Sequence, residues 1–397
     1  VPLRRDDPAA PGRADGPRSV KPCILHVGIP KTGTTSIQES LFFHLADERF
    51  RYVSFGHGHA NTILRASFAA GPDDDWLALR RGTSRGRFLA RREAHRRRLR
   101  RALRRALDRG ATPILSAEDG WNHARAALEA LRDFLAAEGF EARVVAYLRP
   151  IESWLESVFQ QNVKWGGAFD AGEVREAPPG IPRHAFARKL AVFGDVFGRS
   201  NLVVRRFAPE DLVGGCVVRD FCATLGIDFD SRAAIRANES MSLDSLRFLH
   251  AYHRYAFPRK ETSHRRVERM VRMLGELPGP RFRIHRQVFA PLADEIRRET
   301  TAIREDFGID LAENPREVAD GPCIREAADL ERFSRPALDW LARASGRRPI
   351  GDCEGEGTAR QVAEQVARAG RRAIWRQGPG EAARTLRRGV RWIRHGD

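Results

Sequence analysis

The stretch HVGIPKTGTTS, residues 26–36, concentrates groups that can hold an anion. It contains one lysine (Lys31), two glycines (Gly28 and Gly33) and the hydroxyl side chains Thr32, Thr34, Thr35 and Ser36. Ahead of it runs CILHV, an apolar segment that ends at Gly28. Behind it runs SIQESLFFHL, with Ile37, Leu41, Phe42 and Leu45 at helical spacing. A loop between a strand and a helix offers the free N–H groups and positive dipole end of the helix. Glycines let the backbone curl around a bound anion. The chemistry implied is phosphate or sulfate binding. In the nucleoside-triphosphate loop, G-x-x-x-x-G-K-[ST], the lysine follows the second glycine. Here Lys31 precedes Gly33 and Thr34 follows it, so the usual magnesium-holding hydroxyl is not at its spacing.

Such a loop needs a sheet to carry it. Residues 23–28, 51–56, 112–118, 144–148 and 201–207 read as strands. Helical patterns lie at 36–45, 88–109, 124–138, 151–163 and 216–227, the last ending at Gly226; beyond about 235 the chain is mostly helical. Strands alternating with helices predict an α/β fold, a parallel central sheet flanked by helices with a helical C-terminal elaboration. Ligands of such sheets bind outside the C-terminal ends of the strands. The turns after Val27, Ala117 and Leu148 are therefore expected to converge on the site. The expected organisation is a disordered leader (1–20), one domain (21–330) and a basic helical extension (331–397).

Composition narrows the partners. The net charge is +17, and of the 69 Lys and Arg residues only five are lysines: Lys21, Lys31, Lys164, Lys189 and Lys260. A lysine in a candidate site loop is informative in a chain so biased towards arginine, and the bias suits a GC-rich bacterial coding sequence. The positive balance favours anionic partners. Five scattered cysteines without a CxxC pair argue against a disulfide framework or zinc site and for a reducing, cytoplasmic compartment. No window approaches the roughly 20 apolar residues of a membrane span, and residues 1–19 lack the apolar core of a secretory signal.

The residues Pro30, Lys31, Thr32, Gly33, Thr34 and Thr35 match, position by position, the pattern P-K-[ST]-G-[ST]-[ST]. This loop resembles the 5′-phosphosulfate loop of sulfotransferases that use 3′-phosphoadenosine 5′-phosphosulfate (PAPS). In that family the lysine binds the bridging oxygen between sulfate and phosphate, which implies that role for Lys31. The family holds the 3′-phosphate with an arginine at a strand end and a serine eight residues later. YLRPIESWLES supplies Arg149 and Ser157 at that spacing, with Ser153 as an alternative serine. An arginine fork suits phosphate, and a serine two helical turns on faces the same side. The resemblance covers about residues 22–240. Through SAE (116–118), YLR, the GG-x4-DF stretch (214–221) and NESMS (238–242), it is similar to a bacterial branch related to heparan-type carbohydrate sulfotransferases.

The resemblance implies PAPS as co-substrate, no metal, and an acceptor hydroxyl on a small molecule or glycan. That hydroxyl must lose a proton, so a general base is needed. Glu118, at the end of TPILSAE, and His59, in FGHGHAN beside His57, compete for the role. An imidazole suits neutral pH unaided, whereas a carboxylate needs help from its surroundings. Two other classes stay open: a nucleotide kinase, and a non-enzymatic basic module binding nucleic acid or membrane. The basic run 91–109 lacks interleaved aromatics and any nucleic-acid motif, so no nucleic-acid partner is expected. The tail from 358, with Trp375 and Trp392 among arginines, is a candidate peripheral contact with the inner face of a membrane. The oligomeric state is not legible.

Overall fold

The structure, a computed structural model, describes residues 20–56, 58–75, 78, 81–166, 186–237, 240–256, 264–313 and 321–376. Residues 1–19, His57, Asn238, Glu239 and Trp392 lie outside these, as does the Trp375 side chain. Five strands, β1 (Lys21–Val27), β2 (Phe50–Tyr52), β3 (Thr112–Ala117), β4 (Phe140–Leu148) and β5 (Leu202–Arg206), form one sheet in the order β2-β3-β1-β4-β5. Every pairing is parallel. The fold is α/β with helices on both faces, as the alternating pattern predicts.

The central strands are apolar along nearly their whole length because both faces are covered. Alternate side chains go to opposite cores. On β1, Cys23, Leu25 and Val27 enter the larger core, while Ile24 enters the smaller one. On β4, Val144, Ala146 and Leu148 face the larger core and Val145 and Tyr147 the smaller. The smaller core is closed by helix α1 (Thr34–His44), through Ile37 and Leu41, and by α7 (Val217–Leu225), through Val217, Val218 and Phe221. The larger is covered by α2 (Asn61–Phe68), α3 (Arg85–Leu107), α4 (Arg125–Ala137), α5 (Ile151–Lys164) and α6 (Phe186–Phe197). Beyond the sheet, α8 (Leu243–Ala251), α9 (His264–Leu274), α10 (Ala293–Phe307), α11 (Arg335–Ser345) and α12 (Glu356–Arg376) complete the described chain, with short turns between them.

Two strands differ from their expected bounds. β2 is three residues long, not the six of 51–56. After Tyr52 the chain leaves the ladder; Val53 and Phe55 turn into the core, and the Phe55 carbonyl accepts from Arg98 (3.2 Å). β4 is longer than 144–148. It begins at Phe140, with the exposed Glu141 and Arg143 alternating with the buried Phe140, Ala142 and Val144, and its first residues pair with the start of β1. An apolar run marks only the part of a strand that is covered on both faces.

The basic helix α3 is more than a solvated surface. Arg96 and Arg98 lie over the Phe68 and Phe55 rings (5.4 and 5.3 Å), and Arg100 pairs with Glu138. At the C-terminus, Ala359, Val362, Ala363, Val366 and Ala369 of α12 are buried in the larger core. The apolar face of this helix is thus used inside the protein. No helix among the described residues is long and apolar enough to cross a membrane.

Candidate functional site

The sheet order places β1 between β3 and β4, so the loop after Val27 lies between the ends of those two strands. Gly28 still donates to the Ala117 carbonyl (3.2 Å) before the chain leaves the sheet. A Cβ on Gly28 would stand 2.5 Å from Thr34 Oγ1 and 3.0 Å from the Glu118 backbone, so only glycine allows loop, helix and β3 turn to approach this closely. Gly33 caps α1 in the left-handed region (φ 75°) and packs against Val217 and Phe207.

Lys31 is the one non-glycine residue with positive φ (72°) among the described residues. That conformation costs roughly 1–2 kcal/mol for an L-residue, and three side chains hold it. Thr32 Oγ1 donates to the Ile29 carbonyl (2.7 Å), Trp154 Nε1 to Pro30 (3.0 Å) and Arg149 Nη1 to Lys31 (3.4 Å). Three successive carbonyls are thereby occupied by the protein. The amides of Lys31, Thr32 and Gly33 meet no acceptor among the described residues. The buried Thr34 hydroxyl likewise has no partner there. Free amides, an orphaned hydroxyl and a helix N-terminus make a concave set of donors fit for an oxyanion.

Charge gathers at the same point. Lys31 Nζ donates to Gln161 Oε1 of α5 (2.6 Å). Burial, with the neighbouring charge of Lys164, lowers Lys31 to about 8; Glu118 opposes the shift and Arg149 adds to it. Glu118 moves the other way, since burial raises its pKa while Lys31 pulls it back. The Arg149 guanidinium lies over the Phe207 ring (5.9 Å). Lys31, Glu118 and Arg149, expected from three separate strand ends, come together.

The other expected residues separate by role. Thr32 is fully buried and its hydroxyl is used inside the loop, which leaves its amide for a ligand. Thr34 offers its hydroxyl, and Thr35 stands half-buried on the first turn of α1. Ser36 accepts from the Ala237 amide (3.0 Å), so it also clamps residues 235–237 onto α1, as Ser40 does through Ile235 (2.8 Å). Ser153 is buried and donates to Glu313. Ser157 lies one turn further along α5 and is half-buried. Glu118 lies one residue past β3, at the start of a 3₁₀ turn (Glu118–Asn122). His59 is half-buried beside the same strand, next to Ala60, whose amide donates to the Ser116 carbonyl (2.8 Å). On the neighbouring β5, Arg205 and Arg206, not counted among the expected site residues, make ion pairs of their own. Arg205 grips the buried Asp220 with two nitrogens (3.1 and 2.5 Å), and Arg206 pairs with Asp211 (2.5 Å).

Sequence reasoning missed Gln161 and Lys164 at the site. The signal was available, because Ser153, Ser157, Gln161 and Lys164 fall on one stripe of α5. Trp154 was legible as core, but its indole N–H also fixes the loop.

No protein-family model matches the chain, and no curated protein does. Two chains of solved structure match. One is the sulfotransferase domain of the olefin synthase from Synechococcus PCC 7002, at 13% identity and a TM-score of 0.34, covering 67% of this chain and 98% of that one. Likeness at that level carries no argument about chemistry, which must come from the residues.

Proposed function

We propose that this protein is a sulfotransferase that moves a sulfuryl group from PAPS to an acceptor hydroxyl, on a carbohydrate or glycolipid. The observation that carries the reading is the convergence of Lys31, Glu118 and Arg149 at the ends of β1, β3 and β4, around a loop whose Lys31, Thr32 and Gly33 amides have no acceptor among the described residues. The loop amides, the Thr34 hydroxyl and Lys31 hold the 5′-phosphosulfate. Arg149, with Ser157 on the following helix, holds the 3′-phosphate.

In the proposed step, the acceptor oxygen attacks sulfur as the bond from sulfur to the 5′-phosphate oxygen breaks. Adenosine 3′,5′-bisphosphate (PAP) leaves, and Lys31 stabilises the charge that develops on its oxygen. The acceptor proton passes to a base. Glu118 takes this role better than His59, because it lies close enough to Lys31 to feel its charge and burial raises its pKa towards the working range of a base. Calorimetric titration with PAP tests the reading. Wild type binds, and Arg149→Ala and Lys31→Ala each bind at least tenfold more weakly. Absence of PAP binding in wild type overturns it. A nucleotide kinase would instead bind ATP with magnesium and ignore PAP.

A further inference from the structure

Lys164 is the second lysine at the site. It closes α5, seven residues beyond Ser157 on the same stripe, about 10 Å further along the axis. Gln161, which receives the Lys31 ammonium at 2.6 Å, lies between them. The end of the helix is fixed. The Lys164 carbonyl contacts His253 Nε2 (3.1 Å), and the next turn packs so closely that a Cβ on Gly166 would meet His253 Nδ1 at 3.3 Å. Trp165, at the same helix end, is partly exposed.

The Lys164 side chain is half-buried, yet its ammonium has no hydrogen bond or ion pair among the described residues. Its nearness also depresses Lys31, as like charges do. Glu118 offsets the charge of Lys31 but not that of Lys164, and a partly desolvated ammonium beside another is unfavourable unless something negative is bound. If Arg149 and Ser157 hold the 3′-phosphate and Lys31 the bridging oxygen, the donor runs from Ser157 towards Gln161. Lys164 then lies past its reactive end, where the acceptor enters.

We infer that Lys164 is a specificity residue for the acceptor, gripping an anionic substituent, a carboxylate or sulfate, carried by the sugar near its reacting hydroxyl. The inference rests on the sulfotransferase reading.

Lysine-resolved labelling tests it on the intact wild-type protein, where five lysines give a clean readout by mass spectrometry. An N-hydroxysuccinimide ester is applied to free protein, to PAP-saturated protein, and to PAP-saturated protein with a uronic-acid tetrasaccharide, a sulfated disaccharide or neutral maltotetraose. PAP alone is expected to slow Lys31 at least tenfold and Lys164 less than threefold. At least one of the charged sugars then slows Lys164 at least fivefold further, and maltotetraose does not. Protection of Lys164 by PAP as strong as that of Lys31 would place it on the donor and overturn the inference. So would indifference of Lys164 to both charged sugars, or equal protection by the neutral one. A Lys31 left unprotected by PAP overturns the donor reading itself, a result distinct from the others.

Discussion

Binding of PAP should weaken with rising pH in a window set by Lys31. Free Lys31 is lowered to about 8 by burial and by the charge of Lys164. A phosphate beside it favours the ammonium, so its pKa rises in the complex well above the free value. Binding therefore takes up a proton wherever free Lys31 is neutral. The affinity is fully present well below pH 8 and is lost as pH rises through and past it. With a free-state pKa of about 8, Kd for PAP should rise about twofold from pH 7 to 8 and about tenfold from pH 7 to 9, or about 1.4 kcal/mol. The ligand's phosphates finish ionising near pH 6 and do not produce this trend. Calorimetry in two buffers of different ionisation enthalpy measures both Kd and the proton taken up, about 0.1 at pH 7 and about 0.9 at pH 9. In Lys31→Arg, which stays charged, Kd should be flat over this range. A wild-type Kd independent of pH between 7 and 9, or an unchanged slope in Lys31→Arg, would refute the assignment of Lys31 to the anion.

Glu118→Gln should lose about 10²–10⁴ in kcat while PAP binds as well or better, since a negative charge beside Lys31 is gone; full activity there, with loss in His59→Gln, would move the base to His59. Glu313→Gln should tighten PAP about fivefold, or about 1 kcal/mol, by removing a carboxylate one helical turn from Ser157; unchanged affinity would separate Ser157 from the 3′-phosphate. Gly33→Ala should lower the melting temperature and weaken PAP, because φ is 75° and the new Cβ would stand 2.8 Å from Val217 Cγ1; a fully stable, PAP-binding variant would show that the loop is not held as described.

The α/β class and the placing of the loop between β1 and α1 were legible in the sequence, because apolar runs broken by helical periodicity report burial directly. Lys31, Gly33 and the hydroxyl cluster were legible too, since an anion loop is a local device of eleven residues. Arg149 and Ser157 stood out only through the resemblance to the 3′-phosphate grip of PAPS-dependent sulfotransferases. Beyond this the sequence was silent, for one physical reason. Where the strands lie in the sheet is set by how long segments pack, and sequence separation does not encode it. The order β2-β3-β1-β4-β5 brought Glu118 and Arg149, 87 and 118 residues from Lys31 in sequence, to the same loop. Only packing could divide the hydroxyls, turning Thr32 inward and leaving Thr34 without a partner. Packing also set Lys164 near Lys31, and with it the charge that the site leaves to be neutralised.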